Sequence, residues 1–225
     1  MEWIDSHSHH YLTSLSILDE LRKTGLSTVV EASWIPVRPT SQFTLIDLYN
    51  WIVNQEKTRL ERIGLKVLPA IGIHPRWLES GDDIETYVFE RQLRMAMQAD
   101  KPVIMHTPKA NKKNILKKEL DSIKSVSFPQ ELLVVDHLNS EIYEVVSNLK
   151  TYFGLSIQPG KLTVDEALKL VQKLDIERIL INSDSSTEPS QPTWPALLLS
   201  KLENSGLTEL ARKIAFENPI RFYRL

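Results

Sequence analysis

The apolar positions of this chain fall into two recurring patterns. Short runs rich in Val, Ile and Leu alternate with longer stretches whose apolar residues recur at helical period. The short runs predict strands over Trp3 to Asp5, Ser27 to Ala32, Lys66 to Ile73, Pro102 to Met105, Leu132 to Val135, Thr151 to Ile157 and Arg178 to Ile181. The periodic stretches predict helices over Ser14 to Lys23, Phe43 to Ile63, Ile84 to Gln98, Asn114 to Lys124, Ile142 to Leu149, Val164 to Leu174 and Glu209 to Phe216. Leu15, Leu18 and Leu21 give the first helix its apolar stripe. Thr163 with Asp165 and Glu166 reads as a start signal for the helix after Gln158-Pro159-Gly160. The strand runs do not alternate strictly, so both of their faces are expected to be buried, as in a parallel sheet covered by helices. Repeated βα units of this kind build either a barrel or a doubly wound sheet. No linker or low-complexity tract divides residues 1 to 225, which read as one domain, and Ser183 to Pro195 reads as a loop leading into the last helices.

Composition narrows the chemistry. The chain has 225 residues, 42% of them hydrophobic, and a formal net charge of -2, which argues against a surface coated in positive charge. No apolar run reaches the roughly 18 residues of a spanning helix. Met1 to Asp5 lacks the basic and apolar regions of a secretory leader, so a cytoplasmic location is expected. Cysteine is absent, which excludes disulfides, thiolate ligands and a cysteine nucleophile together, so a metal must be held by imidazole and carboxylate. Such donors suit Zn, Mn, Ni or Fe, and Mg less well. The seven glycines form no glycine-rich phosphate loop.

The histidines gather at strand ends. His7, His9 and His10 follow the first strand, His74 the third, His106 the fourth and His137 the fifth, while Asp184 follows the last. In a parallel sheet these ends share one pole, where active sites are built. His7 and His9 are two apart, so on an extended chain both rings point to the same side and can meet one metal. A single strand-end histidine is more often a hydrogen-bonded loop residue, and Asp184 has the competing role of a loop cap. The joint placement favours ligands. Lys109, just beyond His106, and Lys161, after Pro159-Gly160, are placed to meet an anionic substrate. Lys112, Lys113, Lys117 and Lys118 complete the same basic stretch, of which Lys117 and Lys118 read as a solvated helix face. Trp34, Trp77 and Trp194 read as loop aromatics that pack over the barrel end.

Five segments in order carry a resemblance. Asp5-Ser6-His7-Ser8-His9, Gly72-Ile73-His74-Pro75, Pro102-Val103-Ile104-Met105-His106-Thr107-Pro108, Val135-Asp136-His137-Leu138-Asn139 and Asn182-Ser183-Asp184-Ser185 resemble the strand-end motifs of TatD-like metal-dependent hydrolases, of the amidohydrolase superfamily. The His-Thr-Pro, Gln-Pro-Gly-Lys and Asn-Ser-Asp segments are similar to its archaeal branch. Asn218, Arg221 and Phe222 resemble the family's closing signature. The resemblance implies an α/β fold, a (β/α)8 TIM-type barrel binding one or two divalent metal ions. His7, His9 and Asp184 would hold the first ion, and His106 and His137 a second. Asp5 would orient the first-strand histidines, Asp184 would take the proton of the attacking water, and His74, Lys109 and Lys161 would contact substrate. The implied reaction is hydrolysis of a phosphoester, in a small molecule or at a nucleic-acid end, as by a deoxyribonuclease.

One departure stands out. The family carries a Gly-Glu-x-Gly-Leu strand between the Gly-x-His-Pro and Pro-Val-Ile-x-His motifs, and its Glu bridges two metals. No such strand is found between residues 76 and 101 here, and Glu79, Glu85 and Glu90 follow no apolar run. If the loss is real, the barrel is incomplete and the two-metal site is in doubt. Two rival readings follow: a mononuclear amidohydrolase acting on a small C–N substrate, and a non-catalytic degenerate barrel serving as a binding or scaffold protein.

Overall fold

All seven expected strands form, and every pairing between them is parallel: β1 (Trp3–Ser8), β2 (Leu26–Ala32), β3 (Lys66–Ala70), β4 (Val103–Met105), β5 (Leu133–Val135), β6 (Tyr152–Ser156) and β7 (Ile179–Asn182). The structure is a computed structural model and describes residues 1–35, 38–74, 82–186 and 190–225. Hydrogen bonding orders the strands β1-β2-β3 and β4-β5-β6-β7. The two sheets meet where β1 lies beside β7. There Asp184 N donates to His7 O at 3.0 Å, and His9 N donates to Ser185 O at 2.8 Å. The result is an arc of the TIM-barrel type whose free edges are β3 and β4. Among the described residues no strand lies between those edges. Glu79 and Trp77 lie outside the described residues, while Glu85 and Glu90 are helical.

The helices are α1 (Leu15–Lys23), α2 (Gln42–Asn50), α3 (Lys57–Glu61), α4 (Asp82–Gln98), α5 (Lys112–Ser125), α6 (Tyr143–Val146), α7 (Val164–Val171), α8 (Trp194–Asn204), α9 (Thr208–Arg212) and α10 (Asn218–Tyr223). Four differences from expectation have local causes. The predicted helix over Phe43 to Ile63 is interrupted by a π-helical turn, Trp51–Glu56, between α2 and α3. β3 stops at Ala70 because the next amides turn to side chains: Gly72 N donates to Ser33 Oγ and Ile73 N to Gln92 Oε1. α6 is short, since Ser147 and Asn148 favour turns over helix. Trp194 does not sit in a loop; it opens α8, where Pro195 presets helical φ. At α7 the start signal is a full capping box, with Glu166 N donating to Thr163 Oγ1 and Thr163 N to Glu166 Oε2.

Period-two alternation divides the strand side chains between two cores. Val29, Leu133, Val135, Phe153, Leu155, Ile179 and Ile181 face the helices. The intervening Val30, Val134, Tyr152 and Leu180 face inward, where Phe222 and Tyr223 of α10 pack among them. Tyr223 Oη donates to Ser6 O at 2.7 Å. Asn218 holds the start of β7 by donating to Ile176 O and Ile179 O, and Arg221 donates to Glu177 O. Thus α10 fills the inner side of the arc, and the strand C-termini converge at the opposite pole. Burying an inward side chain such as Leu180 stabilises the fold by about 2 kcal/mol. No described helix is long and apolar enough to cross a membrane.

Candidate metal centre

β1 runs straight into the site. His7 and His9 lie on the same side of the extended chain, and their Nε2 atoms stand 3.2 Å apart. Asp184 Oδ1 lies 3.8 Å from His7 Nε2 and 3.6 Å from His9 Nε2. Donors bound at ~2.1 Å to one tetrahedral ion are about 3.4 Å apart, so this trio has the spacing a single cation needs. The far side of each ring is tied. His7 Nδ1 bonds the Asp136 carboxylate, and His9 Nδ1 donates to Ala32 O at 2.8 Å. With their protons held on Nδ1, both rings turn Nε2 lone pairs toward each other and toward a carboxylate oxygen. Facing acceptors of this kind repel unless a cation sits among them, and the donor set fits a divalent metal ion.

Two site residues, His137 at φ 56° and Asp184 at φ 44°, occupy the left-handed region. Non-glycine residues adopt it at a cost of roughly 1 kcal/mol or more, and such strain persists where surrounding contacts over-determine it. Asp184 is fixed by its neighbour: Ser183 N and Oγ donate to Asp5 Oδ1 and Oδ2 at 2.8 and 2.6 Å. Asp5 also bonds His10 Nε2 at 3.1 Å. The expectation that Asp5 orients the first-strand histidines therefore applies to His10 and not to His7 or His9. Both Asp5 oxygens are committed to β7 and His10, and Asp136 with Ala32 O does the orienting.

Asp136 is the residue that sequence reasoning passed over. It lies directly after β5, fully buried, and accepts from Asn182 Nδ2 at 2.9 Å besides its bond to His7. Burial pushes its carboxyl up, but the charges of His137 and His7 outweigh this and hold it far below the usual range. A Cβ at Gly154 on β6 would collide with that carboxylate, so the glycine makes room for it. A lone glycine inside an apolar strand was the available signal.

Asp184 has two faces. Oδ1 faces His7 and His9, while Oδ2 accepts from Gln158 Nε2 at 2.7 Å and from Lys161 Nζ. Burial raises this carboxyl, yet His137 and the Lys161 ammonium beside it leave it well below the ordinary value. For His7, burial works downward and the Asp136 carboxylate upward, with a net rise; for His9 burial prevails and the shift is downward.

The other histidines form a different arrangement. His137 Nε2 lies 2.8 Å from His106 Nδ1, and His137 Nδ1 lies 2.5 Å from Ser156 Oγ. Burial drives His106 well below its usual value and His137 down to about 3. Lys161 Nζ stands 3.1 and 3.2 Å from the two nitrogens of His137. His7, Asp136 and His137 also come close enough to hold an ion, but His7 Nδ1 and Asp136 already bond each other. His74 lies tilted between Trp34 and His106, with ring centroids at 5.2 and 4.8 Å. Trp34 and Tyr11 also meet the His9 ring edge-on, with centroids at 5.6 and 5.8 Å. Lys109 reaches the β6 loop, where a Cβ at Gly160 would lie 3.8 Å from its Nζ.

The family described as TatD related DNase matches residues 77–219. A TatD-like protein of Archaeoglobus fulgidus is 30% identical, superposes with a TM-score of 0.83, and is covered in full by 99% of this chain. An uncharacterized metal-dependent hydrolase of Methanocaldococcus jannaschii is 26% identical, with 99% of this chain matched to all of it. A TatD homolog of Escherichia coli, at 13% identity and a TM-score of 0.50 over 99% of this chain and 98% of that one, shares the fold.

Proposed function

Because this chain belongs to the TatD-related family of metal-dependent hydrolases, we propose that its strand-end centre hydrolyses a phosphoester bond, with nucleic-acid ends as the substrate class. The observation that carries the reading is the trio of His7 Nε2, His9 Nε2 and Asp184 Oδ1, mutually 3.2 to 3.8 Å apart. These three residues would hold a divalent metal ion. When bound, it supplies an acidified water and a Lewis-acid contact for a phosphoryl oxygen.

The chain's own groups have distinct tasks. Asp136 and Ala32 O keep the protons of His7 and His9 on Nδ1, leaving Nε2 as donor. The Asp184 carboxylate, fixed through Oδ2 by Gln158 and Lys161, would accept the proton of the attacking water. Lys161 balances the negative charge that develops as the ester is attacked. The covering rings of Trp34 and Tyr11 exclude bulk water from the His9 side. His106 and His137, bonded to each other, support a mononuclear centre, with a second ion possible only if that bond is broken.

The test is turnover of bis(4-nitrophenyl) phosphate and of an end-labelled oligodeoxynucleotide, each with EDTA, Zn or Mn. Metal-dependent turnover that disappears in His9→Ala is the expected result. Metal binding without phosphoester turnover, but with release of amine or acid from small amides, would replace this reading by the C–N one.

A further inference from the structure

The basic stretch beyond β4 contains one lysine that is not a solvated residue. Lys112, in the first turn of α5, is only 6% exposed, whereas Lys113, Lys117 and Lys118 on the same helix are exposed. Among the described residues it makes no hydrogen bond or ion pair. Lys112 opens the helix that follows the His106 loop of β4, so it lies at the pole where the strand C-termini converge, within reach of the Lys161 and Asp136 charges. Two carboxylates also act on it. Glu141 is exposed, and burial pushes the Glu119 carboxyl up to about 8, so Glu119 is neutral at pH 7. An unpaired ammonium on so buried a side chain, within reach of the Lys161 charge and with neither carboxylate bonded to it, is costly. Lys109 meets the same place from the loop before α5, its Nζ against Gly160 beside Lys161. Asp184 is already taken up by Lys161, and Asp136 by His7 and Asn182, so neither carboxylate is left to neutralise Lys112 or Lys109.

We propose that Lys112 and Lys109, with Lys161 as a neighbouring wall, form an anion recess beside the metal centre that takes a second phosphate of the substrate, distinct from the one hydrolysed. The inference rests on the phosphoester reading of this site and sharpens it. The substrate carries two phosphate groups, as the end of a nucleic acid does, and the recess sets which linkage lies over His7, His9 and Asp184. Lys112 is then a specificity-determining residue whose charge is kept at a cost in stability.

Binding of inorganic phosphate to the full chain in EDTA at low ionic strength, followed by 31P NMR, tests the recess without relying on turnover. The wild type is expected to bind phosphate, Lys112→Met to bind it at least tenfold more weakly, and Lys112→Arg to stay within about threefold. Lys117→Met, on the exposed face, is expected to change nothing. Thermal melts add a readout that separates binding from structure: phosphate raises the Tm of the wild type but not of Lys112→Met, which itself melts no lower than wild type. Absence of phosphate binding, equal binding by Lys112→Met, or an equal loss in Lys117→Met overturns the proposal. Phosphate binding at Lys112 in a protein that turns over no phosphoester supports the recess while removing the phosphoester reading. Turnover without phosphate binding does the reverse.

Discussion

The two pairs of strand-end histidines differ in where their second nitrogens go. On β1, His7 and His9 anchor Nδ1 to Asp136 and to Ala32 O, and turn Nε2 toward a shared point with Asp184. On the β4 and β5 side, His106 and His137 spend a nitrogen each on one another, and Lys161 stands against His137. One pair is organised for a cation; the other is satisfied without one. Histidine content at a barrel end therefore does not define a metal site. The direction of the tethered nitrogen does.

Four perturbations sharpen this contrast, in decreasing order of expected effect. His9→Ala removes a donor and is expected to weaken Zn binding by a factor on the order of 1000, while His106→Ala changes it less than tenfold; titration calorimetry on both variants measures the gap. Comparable losses from the two would show that the second pair also binds the ion. Gly154→Ala drives a Cβ into the Asp136 carboxylate, so about 2 to 4 kcal/mol of stability should be lost in urea unfolding, together with metal affinity. Asp136→Asn keeps the volume but weakens the tether on His7, and a 10- to 100-fold loss of metal affinity is expected. Unaltered binding in that variant would mean His7 is held by packing alone.

The smallest effect concerns Glu31 on β2, behind the β1 pair. It is fully buried, accepts from Ser8 Oγ and Tyr11 N, and burial pushes its carboxyl up to about 7. Its folded value lies above the unfolded one, so its contribution is complete below about pH 4.5 and is lost as pH rises through about 7. Relative to Glu31→Gln, the wild type should lose about 2 kcal/mol between pH 5 and pH 8, read from urea midpoints. A flat difference across that range would place the Glu31 carboxyl at its ordinary value.

Much of this was legible in the sequence, for reasons that also explain the remainder. The seven strands were visible because apolar runs buried on both faces leave a local signal, and their ends were visible because polar residues follow each run at once. The convergence of His7, His9 and Asp184 followed from strand polarity. Asp136 was quoted within its motif yet given no role, because its partners, His7 and Asn182, come from other strands and no local pattern reports them. The bonds from Ser183 to Asp5 are hidden for the same reason. Lys112 was lost among four neighbours of the same charge, since sequence cannot tell which lysine of a basic helix turns inward.

The join between β1 and β7 also governs when the centre can exist. The hydrogen bonds from Ser183 to Asp5 connect residues 178 apart, and the bond from Tyr223 to Ser6 spans 217. A contact of such sequence separation closes a very long loop before it returns any stabilisation, and forms late. During synthesis, His7 and His9 are made long before Asp184 and wait for it. Until β7 docks on β1 they are an isolated imidazole pair, so the three-donor cluster is among the last features of the fold to form.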